Sequence, residues 1–277
     1  MMDNKILENT PDFLNVLGLD EEPMGLFFTD EKPEGCLSPK PNDLPTKAKE
    51  EKNEIDWPGV FGKFSCVIGH IWRARKKKIP ACFSAQEFGC PGASFWVGFN
   101  KPQTETIIGY VSEGIPNFTE GEHYCKTHDD LRRVFTEIDP VPAPKPYCVV
   151  KPLSLFKESE EPEFVLFFTR PESLAGLHQM AFFVTNDPEV AASPWSAACG
   201  SIAAWPMKYK ARGEAKAVVG GWDPSARKFF KTDELSFTVP YSMYVQMIEQ
   251  YQESFLTTKT WSTVQKKIGR SKKAWSE

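Results

Sequence analysis

Three of the seven cysteines sit in unusual local sequences, where chemistry competes with plain packing. Cys66 is followed four residues later by His70, inside a stretch from Val60 to Lys77 with helical periodicity. Its apolar positions are Val60, Phe61, Phe64, Val67, Ile68, Ile71 and Trp72. Positions i and i+4 share a helix face, so a thiolate and an imidazole there could share a metal ion or a proton. A partly buried thiol beside a solvent histidine is the plainer alternative. Cys90 stands in Gly89-Cys90-Pro91-Gly92-Ala93-Ser94. Two glycines and a proline shape a tight loop whose backbone N–H groups could cradle a ligand, unless it is simply a turn between strands. Cys199 belongs to Ser196-Ala197-Ala198-Cys199-Gly200-Ser201. Such a run of small residues lets a cofactor, or another backbone, approach closely.

Brought together, three thiolates would hold a soft metal or an iron–sulfur cluster and leave one coordination position open. The expected metal set is therefore Cys66, Cys90 and Cys199, with His70. The expected cofactor contacts are Gly89, Gly92, Gly200 and Arg170, the last falling where a strand gives way to a helix and anions often bind. A surface arginine is the simpler reading of Arg170. His123, Cys125 and His128 form an H-x-C-x-x-H that could also take a metal. His178 lies on an apolar helix face and reads as a core histidine. Cys36, Cys82 and Cys148 read as loop or strand packing. No residue stands out as catalytic: G-x-S-x-G, H-E-x-x-H, the Walker A loop, G-x-G-x-x-G after a strand and C-x-x-C are all missing.

The elements that must position these residues are read from periodicity and punctuation. Asp12 to Leu17 is a short helix stopped by Gly18. Strands are expected at Met24 to Thr29, Ala81 to Ser84, Ser94 to Phe99, Tyr147 to Phe156, Phe164 to Thr169, Ala215 to Val219 and Leu235 to Val239. Helices are expected at Asp129 to Thr136, from Pro171 onward, from the Ser193-Pro194 cap to about Trp205 with Pro206 ending it, and from Pro240 onward. Residues 32–56 form a long surface loop: positions 32–52 alone hold four prolines and five lysines. Residues 1–10 and 262–277 read as tails. The interleaving of strands and helices implies an α+β fold, a mixed sheet with packed helices in a single compact domain over 1–277.

Several short strings appear in a telling order. They are Gly18-Leu19-Asp20-Glu21-Glu22-Pro23-Met24-Gly25, Cys66 ahead of Arg75, Cys90-Pro91-Gly92-Ala93, Arg170-Pro171-Glu172, and Cys199-Gly200-Ser201-Ile202-Ala203. In this the chain resembles the bacterial and archaeal family known as domain of unknown function 169, from about Gly18 to the helix after Pro240. The resemblance carries no assigned activity and no catalytic residue. It implies a cytoplasmic protein common in anaerobes, a setting that suits cysteine-ligated iron.

Composition sets the outer limits. The 21 Phe and 8 Trp supply large buried areas. A net charge of −4 gives no global field toward nucleic acid or anionic lipid, so neither is an expected partner. No apolar run approaches the ~18 residues of a membrane span. An odd number of scattered cysteines fits a reducing compartment, and the cytoplasm is the expected location. Three functions follow. The first is a metal- or iron–sulfur-binding protein of unassigned reaction, with a redox link as one option. The second is a haem, flavin or tetrapyrrole pocket built from Trp and Phe over the loop Gly89 to Ser94. The third is an interaction protein that uses the 32–52 segment and the basic tail.

Overall fold

The computed structural model describes residues 4–275. Its centre is an open sheet of seven strands, β1 (Met24–Thr29), β2 (Ala81–Ser84), β3 (Tyr147–Pro152), β4 (Phe164–Thr169), β5 (Ala191–Ala192), β6 (Ala217–Gly220) and β7 (Leu235–Pro240). Their spatial order is β2-β3-β1-β4-β7-β6-β5. All neighbours run antiparallel except β5 and β6, so the sheet is mixed and the fold is α+β. Register follows the side-chain alternation. Leu26 faces Val150 on one side and Phe164 on the other, and all three belong to one core. Phe167 and Phe237, paired across β4 and β7, point into the opposite core.

Helices cover both faces. Against one lie α1 (Asn4–Leu17), and later in the chain α8 (Pro171–Thr185) and α11 (Tyr241–Gln250). The other face carries α4 (Val67–Lys77), α5 (Pro91–Trp96), α6 (Glu105–Val111), α7 (His128–Ile138), α9 (Ala198–Ile202) and α10 (Ala204–Ala211). Two short helices, α2 (Lys47–Glu51) and α3 (Trp57–Phe61), precede α4, and α12 (Lys259–Trp275) ends the described chain. Among the described residues no helix is long and apolar enough to cross a membrane.

Four expectations change. The single helix from Val60 to Lys77 is two, α3 and α4, with a break over residues 62–66. The apolar run Ser94 to Phe99 is not a strand, because Cys90 and Pro91 start α5 ahead of it. Pro206 lies in the first turn of α10, where its missing N–H costs nothing, and does not end a helix begun at Ser193. Residues 32–56 are tied down rather than loose: Leu37 bridges to Ala81, Asn42 N–H donates to Gln86 O at 2.9 Å, and Glu50 caps α6. The tail readings also fall short. Ile6 is buried and Thr10 bonds the Tyr244 hydroxyl at 2.6 Å, while 262–275 is helical. Positions 1–3 and 276–277 of those tails lie outside the described residues.

Candidate functional site

Each of the three cysteines marks the start of a helix. Cys66 is the N-cap of α4, with φ −80° and ψ 127°, rather than a residue on a helix face. His70 lies one turn on, its backbone N–H donating to Cys66 O at 3.4 Å. The His70 ring nitrogen Nε2 meets Ser65 Oγ at 3.2 Å, and the ring stands edge-on to Phe83. Burial, aided by the charge of Arg73, holds His70 below its ordinary pKa.

Cys90 is the N-cap of α5 and its sulfur accepts the Ala93 N–H at 3.4 Å. Cysteine is not an ordinary cap, but its sulfur fills the position of the serine oxygen here. What fixes the loop is Gly89. Its φ is +82°, and a Cβ there would stand 2.6 Å from Ser65 O, while Ser65 N–H donates to Gly89 O at 3.0 Å. The backbones leading into Cys66 and into Cys90 thus run side by side. Gly92 is helical, its nearest neighbours to a Cβ are at 3.9 Å, and it needs no glycine.

Cys199 lies one residue inside α9, which begins at Ala198. Asp223 caps that start: its Oδ2 accepts the Ala198 N–H at 3.2 Å. The small residues admit a side chain, not a cofactor. A Cβ at Gly200 would lie 2.6 Å from the Trp96 ring, so Trp96 of α5 fills the space that the small residues leave. That contact brings the start of α9 toward the start of α5.

The three thiols are close enough for charge on one to act on another. Burial pushes Cys90 up to about 12, and the nearby Cys66 and Glu122 add to the effect. Cys199 is raised well above its ordinary value by burial, then by Cys90, Cys66 and Asp223. Cys66 is raised by burial and by Asp223, against the N–H groups of Gly69 and Ile68 and the charge of Lys228. Glu122 is itself raised, by burial and by Asp223, and it hydrogen-bonds Tyr110. The site therefore gathers three thiols with Asp223 and Glu122, whose charges oppose ionisation of the thiols. Among the described residues no three His, Cys, Asp or Glu side chains stand in an arrangement that closes on a metal ion.

The remaining sequence candidates fall elsewhere. Arg170 caps the start of α8 only through its backbone, and its guanidinium pairs with Asp20 at 3.1 Å. In the H-x-C-x-x-H segment the side chains do not gather: Cys125 is buried in the core, and His128 Nε2 meets Gly114 O at 3.0 Å. His178 is exposed on α8 rather than in the core. Asp223, Glu122, Tyr110 and Trp96 went unnoticed in the sequence. Asp223-Pro224 is a cap-plus-N1 pair that could have flagged Asp223, whereas nothing local marks Glu122. Surface clefts lie away from the thiols, one of about 300 Å³ around Arg75, Glu21, Lys231 and Glu234.

Comparison with known proteins gives one match. The model of the domain of unknown function 169 family, described as uncharacterised ArCR, covers residues 12–250. No curated protein and no solved structure matches the chain.

Proposed function

We propose that this chain, which belongs to the domain of unknown function 169 family, binds an iron–sulfur cluster or another soft metal through Cys66, Cys90 and Cys199. The observation that carries the reading is that thiols from three separate helix starts act on one another, with Asp223 acting on Cys66 and Cys199 and Glu122 on Cys90. Cysteine used only as a small hydrophobe has no reason to collect beside Asp223 and Glu122. A centre so rich in acids is complemented by a cation, and a bound metal ion reverses the local preference by deprotonating the thiols outright.

A cluster suits the site better than one ion. A single tetrahedral ion with metal–sulfur bonds of ~2.3 Å draws its sulfurs to within about 4 Å of each other. No described group is arranged in that way. In a cluster each thiolate binds a different iron and the sulfurs stand farther apart. Three thiolates leave one iron without a protein sulfur, which suits ligand capture or redox work. Asp223 would hold the α9 start in place, and Glu122 with Tyr110 would supply an exchangeable proton beside the open position.

The test is iron and sulfide content, with a visible spectrum, on protein purified without oxygen. A broad visible shoulder that is lost in each of Cys66→Ser, Cys90→Ser and Cys199→Ser, but kept in Cys148→Ser, supports the reading, because a hydroxyl is a poor ligand for soft metals. Colourless protein that takes up no iron on anaerobic reconstitution with ferrous iron and sulfide sinks it. A second reading has one observation behind it. Trp195 is exposed and stands edge-on to Trp96, and Trp222, next to Asp223, is also exposed. Those rings could seat a haem, flavin or similar flat ligand without cysteine-bound metal, and a sharp intense visible band would select it.

A further inference from the structure

The other cysteine-rich place in the molecule is the sheet edge at β2. The chain at 36–37 runs alongside it: Leu37 forms a parallel bridge with Ala81, Leu37 N–H donates to Pro80 O at 2.8 Å, and Cys82 N–H donates to Leu37 O at 2.8 Å. With Leu37 opposite Ala81, Cys36 and Cys82 are diagonal neighbours on one face, packed into the same core, and Cys36 Sγ also meets Ser38 Oγ at 3.7 Å. Both are free, Cys36 half-buried and Cys82 fully buried. Cys148, opposite Phe83 on β3, belongs to the core on the other face of the sheet, so it does not compete for Cys36. The Lys32 ammonium, held at 2.7 Å by Glu87, acts on both thiols.

We propose that Cys36 and Cys82 form a two-electron oxidation site, in which hydrogen peroxide converts the pair to a reversible disulfide that clamps the 30–46 segment onto β2. The inference does not rest on the metal reading, since it shares no residue with Cys66, Cys90 or Cys199. Cys36, the accessible thiol, attacks as a thiolate. Its sulfur bonds one peroxide oxygen, the O–O bond breaks, and the departing hydroxide takes up a proton to leave as water. Cys36 is then a sulfenic acid. The Cys82 sulfur attacks it, the S–O bond breaks, and the Cys82 proton goes to the leaving hydroxide as a second water. Two thiols lose two electrons and two protons, and one peroxide becomes two waters. Reduction by any dithiol restores both groups.

The experiment exposes the full chain to a slight molar excess of hydrogen peroxide, alkylates it under denaturing conditions without reductant, and maps peptides by mass spectrometry. The expected product is a peptide pair joined through Cys36 and Cys82, present in the wild type and in Cys148→Ser and removed by dithiothreitol. Cys36→Ser abolishes the cross-link. In Cys82→Ser the Cys36 sulfenic acid persists and is trapped by dimedone. The proposal is overturned if both cysteines remain free to alkylate in oxidised wild type, or if Cys36 is found joined to any other cysteine. Dimedone labelling of Cys36 in the wild type at the level seen in Cys82→Ser would also overturn it, since Cys82 would then not resolve the intermediate.

Discussion

The two cysteine groups differ in what surrounds sulfur, and that difference decides their chemistry more than the residue type does. Cys66, Cys90 and Cys199 come from three helix starts, with backbone N–H groups aimed at sulfur and with Asp223 and Glu122 close by. Cys36 and Cys82 come from two chain segments paired edge to edge, with Lys32 beside them. In the first group Asp223 and Glu122 outweigh the one cation, Lys228, so a further cation is the missing partner. In the second Lys32 is already paired with Glu87, burial holds Cys82 up at about 12, and the neighbouring sulfur is the partner. Helix starts converge from three directions and can surround a centre. A strand pairing brings two groups together along a line, which suits a bond between them.

The comparison breaks most readily at the segment that carries Cys36. Deleting residues 32–52 is expected to abolish cooperative urea unfolding, because Glu50 accepts the N–H groups of Glu105 and Thr106 at 2.8 and 2.9 Å as well as the Thr106 hydroxyl. A deletion variant that still unfolds in one sharp transition would show that the edge pairing is dispensable. Next in size is Gly89→Val. The positive φ and the 2.6 Å approach of Ser65 O leave no room for a side chain, so a loss on the order of 3 kcal/mol is expected, along with loss of any bound metal. Gly92→Ala, three residues on, should stay within about 0.5 kcal/mol of wild type by the same measurement, since its Cβ meets nothing closer than 3.9 Å.

Those contrasts also mark what could be read in the sequence. The strands were legible wherever an apolar run met turn residues, as at β1, β2 and β4, and the α7 and α8 helices were legible from their starts. The run Ser94 to Phe99 misled because short aromatic stretches fit strand and helix alike, and length does not separate them. Pro91 after Cys90 was the better signal, hidden by the rarity of cysteine as a cap. The break at 62–66 was invisible because the apolar positions on either side continue one helical stripe. Cys90 and Cys199 stood out in the sequence through the small residues beside them. Glycine does different things in the two places: Gly89 admits a backbone and Gly200 admits Trp96. The pairing of Cys36 with Cys82 depends on a long-range strand contact that no local pattern encodes.

Asp223 gives a sharper and smaller test of the helix-start group. It caps α9 through Ala198 and accepts the Ser225 N–H at 2.9 Å. Asp223→Ala should cost about 1 kcal/mol through the lost cap. It should also lower iron retention, because the α9 start that carries Cys199 is no longer held. Asp223→Asn keeps an oxygen that can cap but drops the charge. Stability near wild type with reduced iron in that variant would separate the electrostatic role from the structural one, whereas full iron content in both variants would remove Asp223 from the site.

The smallest effect is expected at Lys32, and it bears directly on why the two groups differ. If its ammonium assists the attack on peroxide, Lys32→Met should slow peroxide-driven loss of free Cys36 by about threefold, a factor matching the ~0.6 kcal/mol typical of a half-exposed charge pair. The rate should rise with pH in both proteins, since only the thiolate attacks, and the gap between them should narrow in 1 M salt, where the Debye length falls to about 3 Å. Glu87→Gln offers the converse. It removes the carboxylate that holds Lys32 at 2.7 Å and also acts on Cys82. The thiols lose a nearby negative charge, but Lys32 loses its anchor, so the direction of the rate change reports which of the two dominates. A rate in Lys32→Met equal to wild type at low salt would mean that the strand pairing alone sets the reactivity of the pair. The cation would then be a surface ornament on the edge, and the contrast with the acid-rich site would rest on geometry rather than on charge.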